Sequence, residues 1–204
     1  MKKAVLIATT VLATSSIWAS STSFDFKDPK GVNNVVFKLD APLESINGTA
    51  TGVSGTVTVD PADFSTAKGK ITVETSSLTV PNPMMKEHLL GENWLNAPKN
   101  PAITFEIKEV KNVKATNGSG TADVTGTFTL NGVSKDITVP AKIAYLPGKL
   151  GDRTNGKVQG DLLVVRTAFQ INRSDYNIQP GQYQDKVSET IDLSLAIAGA
   201  APKS

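Results

Sequence analysis

The 204-residue sequence has no cysteine, a single histidine and an aromatic content of only 6%. Without cysteine, disulfides, thiolate metal sites and cysteine nucleophiles are excluded, and the fold must stand on its packed core. The lone histidine, His88, cannot build a usual transition-metal site by itself, and Glu87 and Glu92 are poor company for zinc without a second imidazole, so no metal is expected. Catalytic strings are missing as well. No G-x-S-x-G nucleophile elbow, G-x-G-x-x-G or P-loop string occurs, and nothing links His88 to a serine. The sequence therefore assigns no catalytic residue and no cofactor, and it reads as a protein that is not an enzyme.

An excess of one charge is also lacking. The chain carries 21 Lys and Arg against 19 Asp and Glu, and setting aside Lys2 and Lys3 leaves 21 − 2 = 19 against 19. A neutral surface offers little hold on nucleic acid or on an anionic membrane. Strongly apolar sequence is confined to the start. Met1 to Ala19 has two lysines, then AVLIATTVLATSSIWA ending in small residues, the pattern of a secretory signal peptide cleaved after Ala19 or Ser21. That run is shorter than the roughly 18 to 20 apolar residues of a membrane span and is diluted by Thr and Ser. Residues 20–204 are thus expected to form one exported, periplasmic domain without a transmembrane segment.

What the sequence does have is alternation. Apolar and polar positions alternate through NNVVFKLD, through Val57 and Val59, and through Ile103, Phe105 and Ile107. The pattern continues through Val124, Phe128 and Leu130, then Ile137 to Tyr145, then Leu163 to Ile171, and last Ile191 to Ile197. Asn117-Gly118 and Asn131-Gly132 mark tight turns between such runs. Residues 20–31 show no pattern and read as a loose lead-in, the parity flip near Thr75 to Ser77 reads as a bulge, and LPGKLGDRTNGK reads as a polar loop. About eight strands follow, an all-β antiparallel meander closing into a barrel or a sandwich; pattern alone does not separate the two.

One stretch breaks the alternation. Asn82 suits an N-cap, Pro83 suits the first helical position and Gly91 a terminus, so a two-turn helix is expected over 83–90. Met85 and Leu89 share one face of it, with His88 beside them.

The His88-Leu89 pair, Trp94-Leu95-Asn96, NPAITFEI, GTFTLNGVSKDITVPAKI and FQINRSDYNI occur in an order that resembles the YceI-like family of secreted lipid-binding proteins. The resemblance covers nearly the whole mature chain. It implies a lipocalin-like barrel with an apolar channel that binds isoprenoid chains such as polyprenyl phosphates or quinones. The chain departs from the family pattern at Met85 and Lys86, where an Arg-Asp pair is usual, and at Asn177, where Gly is usual.

Candidate site residues follow, each with two readings. Phe105, Phe128, Phe169, Ile171, Leu193 and Leu195 occupy the apolar parity of their strands and are either plain core or the wall of a ligand cavity. Met84, Met85, His88, Leu89 and Trp94 form either an adjustable lid or a plug for one barrel end. Arg173 and Tyr176 either hold a head group, the guanidinium meeting a phosphate and the phenol closing the mouth, or an Arg-Asp pair there pins a turn. The function expected is sequestration or carriage of a long apolar ligand. A structural or adhesive β-sandwich and a lipid-ester hydrolase are the other classes, and a homodimer is compatible with the sequence.

Overall fold

The structure, a computed structural model, describes residues 21–203; the leader read at 1–19 lies outside them. Four strands come first: β1 (Thr22–Asp25), β2 (Asn34–Asp40), β3 (Ser45–Ala50) and β4 (Val53–Asp60). β5 (Asp63–Glu74) precedes helix α1 (Pro83–Leu90), after which β6 (Ala102–Thr116), β7 (Ser119–Leu130) and β8 (Val133–Leu146) run as a meander. A one-turn helix α2 (Leu150–Arg153) leads to β9 (Gly160–Asn172), and β10 (Thr190–Pro202) ends the chain.

All ten strands of the described residues belong to one antiparallel sheet. Its order β1-β4-β5-β6-β7-β8-β9-β10 returns to β1 through the pair Asp25–Ala200, so eight strands close a lipocalin-like barrel. The sandwich alternative is thereby removed. The other two strands form a hairpin, β2–β3, that prolongs the β1–β4 ladder toward the opposite end, since β10 pairs with β1 at Ala200 and with β2 from Ala196 to Asp192. A bridge between Thr49 and Thr79 joins β3 to the chain just after β5, which gives that end of the hairpin a neighbour too. Closure leaves few strand edges unpaired.

Local chemistry explains most of these elements. Along β7, Ala122, Val124, Phe128 and Leu130 are buried while the intervening threonines face outward. At the two hairpin turns Asn117 and Gly118 have φ of 52° and 76°, and Asn131 and Gly132 have 50° and 74°, the doubly left-handed turn that follows strand twist. Asn82 caps α1 by accepting the N–H groups of Met84 at 3.0 Å and Met85 at 3.2 Å. Gly91 ends the helix in an extended rather than left-handed conformation. A side chain there would be tight, since a Cβ would sit 3.1 Å from the Glu87 carbonyl oxygen.

Three expectations are corrected. The lead-in is not loose: Ser23 and Asp25 point out while Phe24 and Phe26 are fully buried, each contributing about 2 kcal/mol by burial. The parity flip at Thr75–Ser77 is a 3₁₀ turn, which rotates the following residues as a bulge would. Within the polar loop, α2 buries Leu150, and Arg153 pairs with Asp28 at 2.8 Å.

The two barrel ends differ. At the end bearing α2, Phe24 packs edge-on against Tyr145 with ring centroids 6.2 Å apart, and Asn33 bonds the backbone of both Phe26 and Ala198. That end is filled. The other end carries α1, the β2–β3 turn and the segment after β9.

Candidate functional site

The barrel encloses a cavity of about 400 Å³ whose wall is overwhelmingly apolar. Phe105, Phe128, Phe169, Ile171, Leu193 and Leu195 all line it. Phe128 and Ile171 are buried, whereas Phe105, Phe169, Leu193 and Leu195 remain part-exposed although they point inward. The residual exposure belongs to the cavity. Facing rings are set by cross-strand register: Phe105 lies opposite Phe128, and Phe169 opposite Leu193. Phe128 meets Phe169 at 6.2 Å and 84°, an edge-to-face contact that fixes the wall on one side. Small residues make room for such rings. A Cβ on Gly126 would come within 2.6 Å of the Phe105 ring, and one on Gly48 would overlap Phe37.

Three elements surround the open end. The first is α1 with the turn after it. Met85, His88, Leu89 and Trp94 line the cavity, but Met84 is 66% exposed and does not. Met84 therefore drops out of the expected lid. The His88 imidazole is exposed and makes no hydrogen bond among the described residues, where no group of three or more His, Cys, Asp and Glu could hold a metal. The second element is the β2–β3 turn, where Glu44 borders the cavity.

The third is a strap, residues 177–189, between β9 and β10. A 3₁₀ turn, Arg173–Tyr176, ends β9, and Asn177 follows at φ 54°. That left-handed conformation suits Asn nearly as well as the Gly usual there. The strap then crosses the opening and contributes Ile178, Tyr183, Lys186 and Val187 to its lining. Tyr183 lies against Trp94 with ring centroids 6.1 Å apart, the Leu43 N–H donates to the Asp185 carbonyl at 2.9 Å, and the Gln179 side chain donates to the Asn93 carbonyl. These three contacts tie the strap to both other elements.

Arg173 holds the strap from beneath. Its Nε donates to the Ser188 carbonyl, Nη1 to those of Ile178 and Gln179, and Nη2 to those of Gln182 and Val187. A guanidinium has five N–H donors, and all are engaged. Glu189 balances the charge at 3.8 Å from Nε and also accepts from Ser174. Asp175, the expected turn partner, pairs instead with Lys135. The role read from the sequence, donation to a head group, is therefore not open to Arg173 in this arrangement. Tyr176 is likewise displaced from the mouth: it is 1% exposed, does not line the cavity, and sets its ring perpendicular to Phe128 at 5.5 Å. Its hydroxyl titrates above the ordinary tyrosine range, chiefly because of burial and then because of the Asp175 charge.

The site residues that sequence reading missed are Glu44, Tyr183 and Lys186 at the mouth, and Phe26, Phe37 and Phe64 in the wall. The phenylalanines had a signal in their alternation with polar neighbours. Tyr183 had a weaker one, as the lone aromatic in the polar run GQYQDK.

A closed antiparallel barrel around one apolar chamber defines a lipocalin-like fold of the kind that holds small apolar ligands. The particular family is now plain: residues 14–198 match the YceI-like domain, and the chain belongs to that family. A UPF0312 protein of Pseudomonas aeruginosa is 40% identical over 96 residues, 47% of this chain and 48% of that protein, so the match spans about half that relative's length. Among solved structures, Burkholderia cenocepacia BcnA superposes with a TM-score of 0.66 at 20% identity, covering 81% of this chain and 95% of that one. A domain from Saccharophagus degradans, described as polyisoprenoid binding and implicated in plant cell wall breakdown, gives 0.64 at 11% identity, covering 91% and 100%. At such identities these two structures speak to the fold.

Proposed function

We propose that this protein sequesters or carries a long apolar ligand, an isoprenoid lipid, inside its barrel. The observation that carries the reading is the cavity of about 400 Å³, lined by inward residues that stay part-exposed because the interior is not filled. A structural module would close that space, since an empty apolar chamber forgoes packing at every wall atom. Each methylene of a chain entering it would contribute about 0.8 kcal/mol, so a prenyl tail needs few polar contacts. The polyisoprenoid-binding structural relative supports the same ligand class. The role is binding rather than chemistry, in keeping with a lining that is nearly all hydrocarbon. Export to the periplasm belongs to this reading and rests on the leader pattern of residues 1–19. N-terminal sequencing of exported protein is expected to start near Ser20; an intact Met1 would contradict it.

Trp94 supplies the test of binding, because it lines the mouth and is the only tryptophan after the leader. Titrating a polyprenol into the protein should change Trp94 emission saturably at one chain per barrel. No change, with no lipid retained after gel filtration, would overturn the proposal.

A further inference from the structure

Resting on the reading of the chamber as a ligand site, we infer that Thr167 donates a hydrogen bond to a ligand oxygen held deep in the barrel, so that the ligand enters with an oxygen-bearing end leading. Thr167 lines the cavity from β9, where the other inward positions, Leu163, Val165, Phe169 and Ile171, are all apolar. Its hydroxyl oxygen is buried and has no hydrogen-bond partner among the described residues. The adjoining strands offer none, because Thr167 lies opposite Ala141 on β8 and Leu195 on β10. The position is deep. Along β9 it stands three residues beyond Val164, which pairs with Ala198 at the filled end, and five before Asn172, where β9 reaches the mouth. Those five residues span roughly 17 Å of strand, which sets the hydroxyl nearer the floor of the chamber than its rim.

A buried hydroxyl left unpaired is a cost that the fold gives no reason to bear. Valine has the same shape, favours strands as well and would leave no polar atom unmet. A lone water is a poor partner here, since a buried water needs two or more polar contacts and the neighbours on both sides are hydrocarbon. The side chain is only half-buried, because the rest of it faces the chamber. Rotation about χ1 from one staggered position to another exchanges the methyl for the hydroxyl and presents the donor to an arriving acceptor. A carbonyl, ether or hydroxyl oxygen on the buried end of an otherwise apolar ligand satisfies it, whereas a plain hydrocarbon end does not.

The test uses the whole protein with hexadecane and the methyl ketone of the same length, since a chamber of about 400 Å³ holds roughly sixteen carbons if benzene fills about 150 Å³. The bound ketone, isotopically labelled at its carbonyl carbon, should show an infrared band at the hydrogen-bonded frequency in the unaltered protein and in Thr167→Ser, and at the free frequency in Thr167→Val. Thr167→Val should also bind the ketone about fivefold more weakly, bind hexadecane as before and melt no lower. A free carbonyl in the unaltered protein or a hydrogen-bonded one in Thr167→Val overturns this inference. A lower melting temperature for Thr167→Val overturns it too, because the hydroxyl would then already have a partner in the protein. With hexadecane bound, each of those outcomes leaves the chamber a ligand site. If neither probe binds, the reading of the chamber fails, and this inference falls with it.

Discussion

Arg173 and Ile178 are bonded to each other twice: the Ile178 N–H donates to the Arg173 carbonyl at 3.1 Å, and Arg173 Nη1 donates to the Ile178 carbonyl at 2.9 Å. This pair starts the strap and fixes its direction across the mouth. Replacing Arg173 with Met should cost about 3 kcal/mol or more, since five carbonyls and the Glu189 carboxylate lose their partner. Urea denaturation would read the loss, and amide exchange should accelerate across residues 178–188. Unchanged stability with weakened lipid binding would return Arg173 to the head-group role.

The wall residues should divide by burial. Phe128 is 7% exposed and touches both Phe169 and Tyr176, so Phe128→Ala should destabilise by about 3 to 4 kcal/mol. Phe169→Ala should cost clearly less, because part of its ring already faces the cavity. Leu193→Trp should do the opposite of both, filling space and lowering lipid occupancy with little change in the denaturation midpoint. If Leu193→Trp left occupancy intact, the chamber would not be the ligand site.

For the mouth, the expected behaviour is a gate. An eight-residue helix is unstable alone and must be held by packing, here through Met85 and Leu89, while the Trp94–Tyr183 contact latches it to the strap. Tyr183 has φ 56°, a conformation a bulky residue adopts at a cost, which makes release of the strap easier. Met85→Ala with Leu89→Ala should speed lipid uptake and release more than it lowers stability. An equal loss of fold with unchanged exchange per folded molecule would make the segment an ordinary plug.

Stability should fall at both pH extremes from the filled end. Burial works against the Asp28 carboxylate, but bonds from the Asn33, Lys30 and Val32 amides and the Arg153 charge outweigh it and leave its pKa lowered. Asp161 is lowered in the same way: burial opposes, while Lys203, the Gly148 amide and the Tyr145 hydroxyl prevail. A depressed folded pKa gives stability that is complete above the unfolded value of 3.8 and lost as pH falls through the folded one. Tyr145 is pushed up to about 12 by burial and then by its bond to Asp161, so its contribution holds below the unfolded value of 10.0 and is lost as pH rises toward the folded one. Melting temperature against pH should therefore drop below about 4 and above about 10, and Asp161→Asn should lessen both drops without abolishing them, since burial still raises Tyr145 and Asp28 still titrates.

Much of this was legible because it is local. The N-cap at Asn82, the two Asn-Gly turns and the inward parity of Phe105, Phe128 and Phe169 each depend on residues within a turn or two of one another. What stayed hidden depends on contacts made across the chain. The pairing of Asp25 with Ala200 that closes the barrel has no signature at either position. Arg173 sits beside Asp175 in sequence, which suggests an ion pair, yet its partners are carbonyls of a loop whose path only the folded strap defines. The mouth residues Glu44 and Lys186 lie in unpatterned polar sequence and come to one cavity lining only because the β2–β3 turn and the strap border the same opening.

The central claim is that the chamber is a lipid site, and the most direct measurement is organic extraction and mass spectrometry of protein purified from its native compartment. The account predicts a prenyl lipid, close to one per chain, absent or strongly reduced in Leu193→Trp prepared alongside. Protein that yields no lipid above the level of Leu193→Trp, while fully folded, would contradict it.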